Sequence, residues 1–234
     1  MTLRERIRRA LPLGVKNAGR RILSAARRDS VAAARRKATA YLASRNGCPA
    51  CLHLGCGEHV LDGWFNVDVL PRHRNVVAVN LRSGLRFLDD DSIDFVYHEH
   101  FFEHLDRRSA RSLLAECRRV LRDGGRMRIS MPDLDRMVRR YLAGWTDEEG
   151  KFLEYRRAFF GDQLLDTPGE MLNLAFRGWE HQFVYGEKDI ARMLELNGFR
   201  NVRRVAHGTS DAEVLRGIES RTEDRDPLIV EAEK

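Results

Sequence analysis

The sequence is short of the residues that staple a chain or carry it across a membrane. Its 234 residues include four cysteines, six prolines and three tryptophans. Cys48, Cys51, Cys56 and Cys117 are too few and too unevenly placed for a disulfide framework, so reduced thiols of a cytoplasmic chain are expected. Cys48-Pro-Ala-Cys51 is a lone CxxC. A zinc site of that kind needs a second ligand pair, and none is nearby. A redox CxxC opens a helix after a strand, whereas this one runs into an apolar stretch. No apolar run reaches the roughly 18 residues that span a bilayer. The N-terminus has no apolar core followed by a small-residue cleavage site, so no secretory signal is expected. Repeats are absent, and the only biased tract is an arginine-rich arm.

Charge is abundant and unevenly placed. The formal net charge is +6, yet residues 1–46 hold 13 Lys and Arg against 2 acids, a net of +11. The remaining 28 basic and 33 acidic residues leave the body at −5. Only the arm therefore suits a polyanion or an anionic membrane surface. Within it Leu3, Ile7, Leu11, Val15, Ala18 and Ile22 recur every three or four residues with arginines between them, which predicts an amphipathic helix. Asp29-Ser30 offers a break and a cap, Val31 to Leu42 resumes the pattern, and Asn46-Gly47 marks a turn. The expected organisation is a basic helical arm, residues 1–46, followed by one domain, residues 47–234. At 43% hydrophobic the chain can build a sizeable core.

The body alternates strand-like with helix-like segments. Strands are expected at Cys51–Leu54, Trp64–Val69, Val76–Val79, Ile93–Tyr97, Arg126–Met131, Val202–Val205 and Leu228–Val230. Helices are expected from Leu105 to Leu121, stopped by Asp123-Gly124-Gly125, and from Glu187 to Leu196, stopped by Asn197-Gly198. Such alternation predicts an α/β fold, a mostly parallel sheet with helices on both faces. Residues 145–182 break the rhythm and read as a lid-like insertion covering one end.

In a sheet of this kind ligands bind beyond the carboxyl ends of the strands. Gly55-Cys56-Gly57 follows the first strand, where glycines let a ligand approach the backbone. Asp68 ends the next strand and is placed to accept hydrogen bonds from two ribose hydroxyls, so a nucleoside ligand is expected. A dinucleotide fingerprint would need a third glycine where Val60 stands, and its turn-to-acid spacing is about twice as long. The ligand is thus a nucleoside without a diphosphate.

LHLGCG, then GWFNVDV, then SIDFVYHEHFFEHL, then ECRRVLRDGGRMRISMPDL, in this order, resembles the class I S-adenosylmethionine-dependent methyltransferases. More narrowly it is similar to a bacterial branch with a short loop after the glycine turn and a Gly-Trp-x-Asn-x-Asp second strand. The resemblance spans residues 50–140 and continues more loosely through residues 180–199. It implies a Rossmann-like seven-stranded sheet and S-adenosyl-L-methionine as cofactor. By position, Leu54, Gly55, Cys56 and Gly57 would pass under its methionine portion, Asp68 would hold the ribose diol, Val69 would lie beside the adenine, and Asn80 would reach the adenine edge. His98 would face the methionine and the substrate. Two positions depart from the pattern: His53 stands where the family often has an acid, and Asn80 where it often has Asp.

Methyl transfer to oxygen needs an in-line nucleophile and a base. Tyr97-His98-Glu99-His100-Phe101-Phe102-Glu103-His104 brings three histidines and two acids to one strand end. His98, Asp133 and His181 are the candidate catalytic residues, with helix capping the competing role for Asp133 and capping or packing the role expected of His104. No metal site is expected, because strand-end and helix-start histidines rarely converge. The expected activity is O-methylation of a sugar, glycan or small polar metabolite, by a cytoplasmic protein that can lie at the inner membrane face through residues 1–46. Two alternatives are an RNA or protein methyltransferase docking through the arm and a non-catalytic membrane-associated protein on the same fold. Nucleic acid is disfavoured, since the arm has almost no aromatics and the body is acidic.

Overall fold

The computed structural model describes residues 30–144, 167–220 and 227–234. The helix expected from Leu3 to Ile22 and the first part of the expected insertion lie outside the described residues. In chain order the elements are α1 (Val31–Ala43), β1 (Cys51–Leu54), β2 (Phe65–Asp68), β3 (Val76–Ala78), β4 (Ile93–Glu99), α2 (Arg107–Val120), β5 (Leu121–Met131), α3 (Leu134–Ala143), α4 (Pro168–Arg177), α5 (Glu187–Leu196), β6 (Arg200–Arg204) and β7 (Leu228–Glu233). They form one seven-stranded sheet of order β3-β2-β1-β4-β5-β7-β6. The first five strands are parallel, and β7 runs antiparallel to both β5 and β6. Strand order reverses between β1 and β4, which opens a crevice at their carboxyl ends. This is the mostly parallel α/β architecture expected from the alternation of segments.

Alternation of side chains along each strand separates two chemistries. One face carries Leu52, Leu54, Val67, Val96, Met127, Ile129, Met131 and Val230, which form one buried cluster with residues of α1, α2 and α5. α2 contributes Leu113, Leu114, Cys117 and Val120 at helical spacing, and α5 contributes Ile190, Met193 and Leu194. The other face carries His53, Asn66, Tyr97, Arg128 and Glu231, all buried. Segment 209–220 is tied across it. Arg128 reaches Glu231 at 2.6 Å, the Thr209 carbonyl at 2.8 Å and Glu219 at 2.7 Å. Ser220 N donates to Glu99 at 2.9 Å, and His59 Nε2 meets the Ile218 carbonyl at 3.0 Å. A buried cation between two carboxylates tolerates its desolvation only while fully paired.

Helix α1 belongs to this packing. Ser30 caps it by accepting from Ala33 N, and Ala34 and Ala38 face the core. Tyr41 Oη accepts from Cys51 N at 2.8 Å and donates to Cys51 O at 2.9 Å, fixing the helix to the start of β1.

Beyond shifts of a few residues at other ends, the start of β5 differs from its sequence reading. Helix α2 ends at Val120, and Leu121 turns extended to pair with Ile93. The pairing shifts register between Ile93 and Phe95, so Asp123-Gly124-Gly125 bends the start of β5 instead of ending a helix. A Cβ at Gly125 would stand 2.8 Å from the Arg122 carbonyl, which explains the glycine there.

Candidate active site

The crevice gathers the ends of β1, β2, β4 and β5. After β1 the chain turns through Gly55 and Gly57, with φ of +63° and +56°. Left-handed backbone of this kind disfavours any side chain. At Gly55 a Cβ would also stand 2.5 Å from the Phe101 ring, whereas at Gly57 it would meet nothing within 4 Å. Leu54 and Cys56 are buried in the same turn, and Cys56 N donates to the Val67 carbonyl at 3.2 Å. Burial pushes the Cys51 and Cys56 thiols up to about 12, so neither is a nucleophile at neutral pH.

Asp68 closes this turn from the end of β2. One carboxylate oxygen accepts from Gly57 N at 2.9 Å and the other from Leu70 N at 2.7 Å. An ionised carboxylate has about four acceptor positions, so roughly two remain for a diol. Val69 beside it is half-buried. Asn80, beyond β3, caps a short helical turn by accepting from Arg82 N at 3.2 Å.

His53 replaces the acid common in the resembled family, and Asn66 accounts for it. His53 Nδ1 donates to Asn66 Oδ1 at 3.1 Å, and the same oxygen accepts from Leu61 N at 3.0 Å. Asn66 Nδ2 donates to the Leu61 and Trp64 carbonyls at 2.8 and 2.9 Å. The asparagine thus holds the loop after the glycine turn and orients the histidine, a role not assigned from the sequence. Burial pulls the His53 pKa down to about 4, against the raising effect of the Asn66 contact. Its ring lies 5.0 Å from that of Tyr97.

At the exit of β4 the histidines divide into two environments. His98 is fully buried, stacked on Phe102 at 5.3 Å and edge-on to Phe101 at 5.8 Å. Among the described residues neither of its ring nitrogens has a hydrogen-bond partner. Burial pulls its pKa down to about 3, so the ring is neutral. His100, with φ of +47°, donates from Nδ1 to Glu103 Oε1 at 3.0 Å and keeps its side chain 26% exposed. Left-handed backbone at a non-glycine residue is strain that surrounding structure must hold. Glu103 is completely buried. Burial alone would raise its pKa, but the His100 hydrogen bond and the electrostatic influence of the neighbouring imidazoles outweigh that and hold it at about 2.

His181 approaches the same carboxylate from the segment after α4. Its Nδ1 donates to the Ala175 carbonyl at 2.6 Å, and Nε2 lies 3.9 Å from Glu103 Oε1. Burial lowers its pKa. His104 meets the His181 ring edge-on at 4.9 Å, so it packs beside His181 rather than standing alone at a helix start. Asp133 follows β5 and is 3% exposed. Its Oδ1 accepts from Arg136 N at 3.1 Å, capping α3, and its Oδ2 pairs with Arg204 at 2.9 Å. His98, His100, Glu103, His104 and His181 therefore share one end of the sheet, with Phe101 linking them to the glycine turn. Glu103 is the organising residue that sequence reasoning did not single out. Its signal was spacing, since it stands within three residues of both His100 and His104, as Glu99 does of His98 and His100.

Residues 52–129 match the family model for the methyltransferase domain. That segment runs from the first strand through most of the fifth and contains the glycine turn, Asp68 and the histidine-rich exit of β4. The chain accordingly carries a methyltransferase domain over these residues, within an α/β, Rossmann-like sheet. It is similar to a SAM-dependent methyltransferase from Archaeoglobus fulgidus at 18% identity, covering 88% of this chain and 95% of that one, with a TM-score of 0.48. A SAM-dependent methyltransferase from Thermotoga maritima is similar at 12% identity, covering 86% and 91%, with a TM-score of 0.44. A methyltransferase from Haloferax volcanii, solved with the activator Trm112, is similar at 13% identity, covering 84% and 88%, with a TM-score of 0.44. No curated protein matches the chain. Among the described residues no helix is long and apolar enough to cross a membrane.

The residues present fit the cofactor. The open space at Gly57 accepts a close approach to the backbone, and Asp68 keeps acceptor capacity beyond its two amide contacts. When bound, S-adenosylmethionine supplies an electrophilic methyl group on a sulfonium.

Proposed function

We propose that the chain transfers a methyl group to a hydroxyl oxygen of a sugar, glycan or small polar metabolite. Asp68 holds the ribose hydroxyls, the 54–57 turn lies under the methionine portion, Val69 and Asn80 border the adenine, and His98 faces the reacting end. The observation that carries the reading is the pair of His100 and Glu103. A buried carboxylate accepts the Nδ1 proton of a part-exposed imidazole at 3.0 Å, which leaves Nε2 free to take a proton from an acceptor hydroxyl. The carboxylate fixes the tautomer and the orientation of the ring. His98, neutral and without a polar partner, suits a hydrogen bond to the acceptor better than proton removal. His181 closes the same end from the segment that follows the insertion. Asp133 holds α3 and Arg204, and we assign it that positional role.

The test is an acceptor screen of hydroxylated sugars and metabolites that follows S-adenosylhomocysteine release. With an acceptor in hand, His100→Ala is expected to lower kcat by about 100-fold or more while cofactor affinity is unchanged. Full turnover in His100→Ala would remove it as the base. Full turnover in both His98→Ala and His181→Ala would overturn the placement of the acceptor at this end.

A further inference from the structure

We propose that Glu103, His104 and His181 form a binding site for one divalent transition-metal ion of the zinc type. One donor atom from each of the three lies within 4.8 Å of the others. Bonds of about 2.0–2.2 Å in a tetrahedral site bring ligand atoms to roughly 3.3 Å apart, so side-chain adjustments of about an ångström complete it.

Two observations point to a cation at this place. Glu103 is fully buried, and among the described residues its Oε2 has no hydrogen-bond partner although Oε1 is held by His100. An unpaired carboxylate oxygen enclosed in protein is costly. His181 supplies the second. A carbonyl only accepts, so the 2.6 Å contact with Ala175 places the ring proton on Nδ1. The neutral ring then turns the lone pair of Nε2 toward a carboxylate 3.9 Å away. Two electron-rich atoms face each other, and an ion between them relieves the repulsion. A metal-bound histidine characteristically donates its other N–H to a carbonyl in this way.

The surrounding structure supports the geometry. The His104 and His181 rings meet edge-on at 4.9 Å. Gln182 N and Phe183 N donate to the Glu103 carbonyl at 2.7 and 3.2 Å, which fixes the two segments relative to each other. His100, donating to the ligating carboxylate, is its outer partner. Two imidazoles and one carboxylate are hard-to-borderline donors suited to Zn²⁺ and its first-row neighbours, and three protein ligands leave a fourth position open. The ion would tie the residues after α4 to the exit of β4. His98 takes no part, since it packs between Phe101 and Phe102.

The experiment uses the full chain, stripped with a chelator, in a Cys48→Ser background that removes the exposed thiol. Zn²⁺ alone is titrated by calorimetry, and Co²⁺ absorption reads the ligand field. The expected result is one ion per chain, with affinity at least ~100-fold weaker in His181→Ala and in Glu103→Gln. The exposed His73→Ala should bind like the parent. Should Glu103→Gln fail to fold, the His181→Ala titration and its Co²⁺ spectrum decide alone. Absence of stoichiometric binding by the parent, or equal binding by parent and His181→Ala, would overturn the proposal.

Discussion

Replacing Asp68 separates the two tasks of one carboxylate. Its oxygens accept from Gly57 N at 2.9 Å and Leu70 N at 2.7 Å. With cofactor bound, the remaining acceptor positions would take the ribose diol. A hydrogen bond to a charged group contributes about 1.5–3 kcal/mol. Losing two of them at the lower figure is about 3 kcal/mol, or roughly 100-fold in affinity. Asp68→Asn keeps the shape but sets its NH2 group against one backbone N–H, which costs about 1–3 kcal/mol of stability. Asp68→Ala abandons both amides. Calorimetric titration of S-adenosylhomocysteine, paired with thermal melts, distinguishes the effects. The expected result is a folded Asp68→Asn with a lower Tm and a Kd weakened about 100-fold. A folded Asp68→Asn that binds S-adenosylhomocysteine like wild type would refute the assignment of the diol to this carboxylate. The reasoning about acceptor positions would fall with it.

The two glycines of the turn should respond differently. Gly55→Ala adds both strain and a collision with Phe101 and is expected to lose about 2–4 kcal/mol in denaturant melts. Gly57→Ala adds strain alone, about 1–2 kcal/mol, and its larger effect should be on cofactor affinity. Arg128→Met leaves Glu219 buried without its cation and Glu231 with only Arg203 and Arg126, so a stability loss of about 3–5 kcal/mol is expected; a loss below about 1 kcal/mol in denaturant melts would contradict the pairing as read. Acid should destabilise the fold through His53. Its folded pKa, near 4, lies below the unfolded value of about 6.5, so below pH 6.5 the unfolded chain takes up a proton that the folded chain refuses. Stability contributed above that pH is lost as pH falls toward 4, about 2 kcal/mol of it by pH 5. His53→Gln should flatten this slope in part, leaving the share of His98, whose pKa is also lowered.

Much of the sheet was legible because strand segments are short, apolar and separated by turn residues. The expected and observed spans of β1 coincide, and those of the other strands differ by a few residues at their ends. The helix-stop reading of Asp123-Gly124-Gly125 failed for a physical reason. Glycine serves a bent strand as well as a helix end, and only the pairing of Leu121 with Ile93 distinguishes them. The site was legible in part. Gly55, Gly57 and Asp68 announce themselves by spacing along the chain. The Asn66 bridge to His53 and the convergence of His181 on Glu103 are contacts between distant segments, and no local pattern encodes them.

Local sequence was enough for whatever depends on near neighbours: the alternation that makes an α/β sheet, the left-handed glycine turn, the acid at the end of the second strand, and the cap of α1. The tertiary structure decided what depends on long-range packing. It buried Glu103 among histidines from two segments, and it enclosed His98 between two phenylalanines. It also placed Arg128 between carboxylates that lie far along the chain. The physical reason is that charge and protonation respond to burial and to neighbours within a few ångströms, and both are properties of the folded chain.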